Sequence, residues 1–128
     1  MRTIKFRAWV EPLKRVMGVT SFSINGHLEP FLIEDSEYGY WFSEDFTLMQ
    51  YTGLKDSKGT EIYEGDLVSY QKRNLDRAFG EGGGEDYLSY ISEIKYRDQG
   101  FNVPQGFIVD LKVIGNKFEN PELLEVNP

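Results

Sequence analysis

Turn-forming residues interrupt this chain so often that a long helix has nowhere to run. Asn25-Gly26, Asp56-Ser57-Lys58-Gly59, Glu64-Gly65-Asp66 and Asp98-Gln99-Gly100 each divide short apolar or alternating stretches. Alternation with a period of two places side chains on opposite faces of a strand, and turn residues between such runs predict antiparallel hairpins. Ile4 to Val10 is expected to open the fold as a strand, with Ile4, Phe6 and Ala8 on one face and Trp9 on the other. Val16 to Ile24 and Leu28 to Ile33 flank Asn25-Gly26, a dipeptide that accepts the positive φ angles of a tight hairpin turn. One or two more strands fall between Tyr38 and Tyr51, and Gly59 is available for a left-handed position in a second hairpin. Tyr90 to Arg97 and Phe101 to Val103 flank the last of the four turns. Phe107, Val109, Leu111 and Val113 alternate along a long, half-buried strand. Asn120-Pro121-Glu122 has the order of an N-cap, a first-turn proline and an acid, predicting a short terminal helix that carries Leu123, Leu124 and Val126.

A chain of 128 residues is the size of one domain, and residues 1–128 are expected to form one. With 40% hydrophobic and 15% aromatic residues it has enough apolar surface for a core. The least regular stretch, Gln71 to Leu88, mixes charges with Gly82-Gly83-Gly84 and reads as a flexible excursion, with one helical turn around Asn74 to Phe79. The absence of cysteine removes disulfides, thiolate catalysis and Cys-ligated zinc, and fits a reducing compartment. Charges at Arg2, Lys5 and Arg7 break any secretory apolar run, and no window suits a membrane span, so the expectation is a soluble cytoplasmic protein with no membrane partner.

Catalytic chemistry finds no foothold. His27 is the one histidine and has no second imidazole or cysteine with which to bind a metal. Gly82-Gly83-Gly84 lacks the ending of a phosphate loop, and Gly65-Asp66 supplies too few oxygen ligands for a cation. Glu44 with Asp45, and Glu85 with Asp86, are adjacent acids that would point to opposite faces of a strand. The expectation is therefore no enzyme, no catalytic residue, no metal and no cofactor. A net charge of −7 argues against general nucleic-acid binding, which rests on Lys and Arg neutralising phosphates. The charge is uneven: between Leu28 and Leu54 there is no Lys or Arg, while Glu29, Glu34, Asp35, Glu37, Glu44 and Asp45 are interleaved with aromatics. A solvated acidic loop beside strand aromatics accounts for that run, and so does a partner surface; in the second case Tyr38, Tyr40, Trp41 and Phe46 are the candidate interface residues.

Ile4-Lys5-Phe6-Arg7-Ala8-Trp9, Met49-Gln50-Tyr51-Thr52-Gly53-Leu54-Lys55-Asp56, Glu61-Ile62-Tyr63-Glu64-Gly65-Asp66 and Ile114-Gly115-Asn116 through Asn120-Pro121-Glu122-Leu123-Leu124 together resemble the YopX family of phage and prophage proteins. The combination, in this order, spans nearly the whole chain. The resemblance implies a β-rich fold of coiled, split sheets; with the turns and alternation above, the expectation is an all-β, mainly antiparallel fold of coiled, split sheets, or a small partly open barrel, with a short C-terminal helix. It further implies a phage or prophage origin and assembly into a homo-oligomer, with no established activity and no site residues to carry over.

Three functions follow as expectations. The first is a non-enzymatic oligomeric interaction protein whose other partner is a host or phage protein. The second is an acidic inhibitor that mimics nucleic acid and occupies a host defence enzyme. The third is a nucleic-acid-binding small β-barrel using Lys72, Arg73 and Arg77.

Overall fold

The computed structural model describes residues 5–37, 39–75, 86–97 and 100–125. The chain divides into two compact units, Met1–Gly53 and Leu54–Pro128.

In the first unit β1 (Phe6–Val10), β2 (Arg15–Ile24), β3 (Pro30–Asp35), β4 (Tyr40–Phe42) and β5 (Phe46–Lys55, which runs past the unit's end at Gly53) lie side by side in the order β4-β3-β2-β1-β5. Every registered neighbour is antiparallel: Ala8 faces Met17 on one side and Leu48 on the other, and Ile33 sits between Phe22 and Trp41. β1 has strand partners on both edges, and Ala8, Trp9 and Val10, which alternate between its two faces, are all buried. Met17, Ile33, Met49 and Tyr51 are buried as well, each such side chain stabilising the unit by about 1.5–3 kcal/mol. Phe6 meets Phe22 edge to face at 5.0 Å.

The second unit holds β6 (Glu61–Tyr63), β7 (Asp66–Arg73), β8 (Tyr87–Glu93), β9 (Tyr96–Arg97), β10 (Gly100–Phe101) and β11 (Ile108–Asn116). Three of these form a sheet in the order β11-β7-β8, and β9 and β10 make the predicted hairpin, although Asp98 and Gln99 lie outside the described residues. Ile62, Val68, Ile94 and Val103 form the core, with Tyr70, Phe101, Leu111 and Val113 packed against it. Gly65, at φ 89°, makes the tight turn into β7, where the Tyr63 amide donates to Asp66 Oδ2 at 2.8 Å. All the registered pairings in both units are antiparallel, and one helical turn, Glu122–Glu125, closes the described chain; no closed barrel forms among the described residues.

Three sequence readings are corrected. The alternation through Phe107, Val109, Leu111 and Val113 breaks at a bulge: Asp110 has φ 57° and the register with β7 slips between Val109 and Lys112. Phe107 therefore precedes the strand and is 98% exposed, while Leu111 and Val113 reach the core. The irregular excursion is narrower than Gln71 to Leu88, because β7 runs to Arg73 and β8 begins at Tyr87, with Arg73 and Tyr87 directly paired. Residues 76–85, and with them most of the suggested helical turn and the glycine run, lie outside the described residues. Finally, Asn120 does not cap its own helix with its side chain; its Oδ1 accepts the amide of Asn116 at 3.2 Å, and the Leu123 amide reaches the Asn120 backbone carbonyl.

The turns share one device. Asn25 Oδ1 accepts the amides of His27 and Glu29, at 2.8 and 3.1 Å; Asp35 Oδ1 those of Glu37 and Gly39, both at 2.8 Å; Asp56 Oδ1 those of Lys58 and Thr60, both at 2.9 Å. In each, the amide of the first residue donates to the carbonyl of the fifth. Short polar side chains compete well for nearby amides, which is why Asn and Asp dominate such positions. The hairpin at Asn25 is thus confirmed but its turn is longer than a two-residue one, and the left-handed residue is Leu28, at φ 62°, with Gly26 outside that region. At the Asp56 turn the same place is held by Gly59, at φ 86°.

Candidate interaction surface

β4 is the outermost strand of the first unit, and it follows directly from the Asp35 turn. Burial alone would raise the pKa of the Asp35 carboxyl. The Trp41 indole, the amides of Gly39 and Glu37 and the charge of Arg15 outweigh that and hold it below its usual 3.8. Both oxygens are committed: Oδ1 to the two turn amides, Oδ2 to Trp41 Nε1 at 2.8 Å. The neighbouring Ser36 amide donates to the Gly18 carbonyl at 2.8 Å, fastening the turn to β2. Gly39 leaves room for this arrangement, since a Cβ there would lie 2.6 Å from Asp35 Oδ2.

The pinned turn fixes which side of β4 faces outward. Trp41 points with Ile33 and Phe22 and is half-buried, whereas Tyr40 and Phe42 share the other face and are 65% and 56% exposed. Tyr40 lies opposite Glu34, whose carboxylate accepts the phenol hydrogen and raises the Tyr40 pKa. After β4, Ser43–Asp45 form a single 3-10 turn that presents Glu44 to solvent and leads into the half-buried Phe46. Of the four candidate interface residues, Tyr40 is on the surface, Trp41 and Phe46 are partly withdrawn from it, and Tyr38 lies outside the described residues. Phe42, one of the aromatics of the acidic run but not one of the four candidate interface residues, is the second exposed aromatic of β4. The signal was present as its two-residue spacing from Tyr40.

The acidic run is less uniform than its sequence suggests. Asp35 is buried as a turn anchor, and Glu37 meets Arg15 at 2.6 Å. Glu29, Glu34, Glu44 and Asp45 remain at or near the surface.

Elsewhere the described residues offer little for chemistry. They contain no group of three or more His, Asp or Glu side chains that could hold a metal. His27 is exposed at the tip of the β2–β3 hairpin. An open groove of about 540 Å³ in the second unit is lined by Lys72, Arg73, Leu75, Gln105, Gly106, Phe107 and Ile108, two cations among mostly apolar neighbours. Lys72 Nζ lies 5.6 Å over the ring of Tyr90, which stacks on Tyr70 at 5.5 Å. Among the described residues no helix is long and apolar enough to cross a membrane.

Comparison with known proteins gives one fold and one family. The crystal structure of protein EF1440 from Enterococcus faecalis is similar, with a TM-score of 0.68 and 24% sequence identity over 97% of this chain and 99% of that one. At this identity the likeness shows the fold alone. A family model described as YopX protein matches residues 5–125. No curated protein matches the chain.

Proposed function

The chain belongs to the YopX family, and from that premise we propose that it is a phage-type, non-enzymatic interaction protein that assembles with copies of itself and presents the β4 edge to a further partner. The observation that carries this reading is the pair of exposed aromatics, Tyr40 and Phe42, on one face of an outermost strand whose geometry is fixed by a buried carboxylate. Large apolar rings held rigidly at a surface are costly to hydrate and lose little entropy on docking, which makes them favoured anchors of protein interfaces. The acidic-mimic reading is weakened by the engagement of Asp35 and Glu37 within the fold.

Absolute mass in solution, measured by light scattering across protein and salt concentrations, tests the self-association. A stable species well above the 14.8 kDa of one chain is expected. A monomer at every concentration would overturn it. Trp41→Ala is a poor probe of the surface because it also removes the indole donor from Asp35; Tyr40→Ala leaves that network intact.

A further inference from the structure

We infer that the outer edge of β4, which pairs with no further strand among the described residues, is a strand-addition site for an extended, lysine- or arginine-rich segment of another protein. The inference rests on reading the chain as an interaction protein and adds the chemistry of the partner.

The backbone supplies the first argument. The Asp35 amide donates to the Gly39 carbonyl, so Asp35 and Gly39 face each other as a hydrogen-bonded pair, and the antiparallel pattern makes Ile33 and Trp41 the next one. Trp41 therefore spends its amide and carbonyl on β3, while the amide and carbonyl of Tyr40 and the amide of Phe42 point away from the sheet; the Phe42 carbonyl, at the cap of the 3-10 turn, accepts within that turn. An outermost strand with such groups is a template for another chain. Sheet edges are commonly blunted by shortness, lysine, proline or a bulge; Tyr40-Trp41-Phe42 has only the first of these, at three residues, and its pairing with β3 runs without a register shift. The side chains beside the free groups are the two exposed aromatics.

Charge selects the occupant. Glu34 lies opposite Tyr40, Glu44 and Asp45 follow the strand directly, and no Lys or Arg occurs between Leu28 and Leu54. Arg15, the cation whose charge acts on Asp35, is paired with Glu37. A second copy of this chain joining edge to edge would bring the same acids against these, and like charges placed opposite one another on strands repel. A basic strand instead meets carboxylates on its charged side chains and aromatic rings on the remainder, with cation–π contact available to Tyr40 and Phe42.

The test uses the full chain and three blocked nonapeptides: alternating lysine and valine, the same sequence with every backbone amide N-methylated, and alternating glutamate and valine. Binding is read by fluorescence anisotropy at low and high salt. The lysine–valine peptide is expected to bind at least tenfold more tightly than its N-methylated form, which has the same charge but no backbone N–H to donate along a sheet edge, and the glutamate–valine peptide is expected not to bind. Y40K/F42K is expected to lose at least tenfold, and E44Q/D45N, which leaves the strand untouched, to weaken binding and flatten its salt dependence. Equal binding of the two basic peptides, or unchanged binding by both variants, would overturn the proposal by showing that charge elsewhere suffices. If Y40K/F42K instead lowers the mass of the self-assembled protein, the occupant is a second copy; that result overturns the basic partner while leaving self-association standing. A monomer that still captures the lysine–valine peptide through Tyr40 and Phe42 does the reverse.

Discussion

The Asn25 turn and the Asp56 turn have nearly the same backbone and different chemistry at two points. In both, one side-chain oxygen takes the amides two and four residues ahead, and the fourth residue's amide returns to the first residue's carbonyl. Asn25 stops there. Asp56 goes on: its second oxygen accepts the Val113 amide at 2.9 Å, and the adjacent Ser57 gives both its amide and its hydroxyl to the Leu111 carbonyl, each at 2.8 Å. A turn that serves only itself can use asparagine, which has one acceptor oxygen; a turn that also grips another strand requires a carboxylate, which has two. The Asp35 turn obeys the same rule, with the Trp41 indole as third donor. The turns differ again at the left-handed position, where Gly59 is at ease and Leu28, 78% exposed, holds a conformation disfavoured by its Cβ.

Asp56→Asn breaks the comparison most directly. Its new amide group would face the Val113 amide donor to donor, and denaturant unfolding should show a loss of about 2–3 kcal/mol. The same substitution changes the acid limb. Burial raises the Asp56 pKa, but the amides of Val113, Thr60 and Lys58 and the Lys58 charge outweigh it, so the folded value lies below the usual 3.8. A depressed carboxylate stabilises above its unfolded pKa and loses that contribution as pH falls through the folded one. Wild-type stability should therefore decline as pH drops below about 3.8, and the decline should be shallower in the variant; an unchanged slope would assign the acid sensitivity to other groups. Leu28→Asn sharpens the comparison from the other turn. Asparagine tolerates the left-handed region, so a thermal melt should show a gain of about 0.5–1 kcal/mol. Smallest of all, Asn25→Asp should leave stability within about 0.5 kcal/mol, because neither side-chain contact of Oδ1 is lost and no third donor waits for the new charge.

These residues also mark where the sequence could be read and where it could not. Hairpins at Asn25-Gly26 and Asp56 to Gly59 were legible because turn chemistry is local, and the family was legible because its motifs lie in order along the chain. The true role of Asp35 was hidden: in sequence it is one acid in a run of six. Its signal was the Asp-Ser pair it shares with Asp56-Ser57, a repeat whose meaning appears only when each second oxygen meets a donor from another strand or an indole. The bulge at Asp110 was hidden for the same reason, since register depends on the partner strand and not on the alternation of β11 itself. Phe42 was left out of the candidate interface because its spacing from Tyr40 gives the two a shared face, while which face is exposed depends on how β4 packs beside β3.

The Asp56–Val113 bond spans 57 residues, against two and four for the amides on the other oxygen. A contact of that sequence separation carries a loop-closure cost that the local turn does not. The turn can therefore engage one carboxylate oxygen while the other is still in water, and the second is desolvated only once β11 is in place. A contact absent from the folding transition state governs how fast a chain comes apart more than how fast it assembles, so this single oxygen is expected to act as a latch on the lifetime of the second unit.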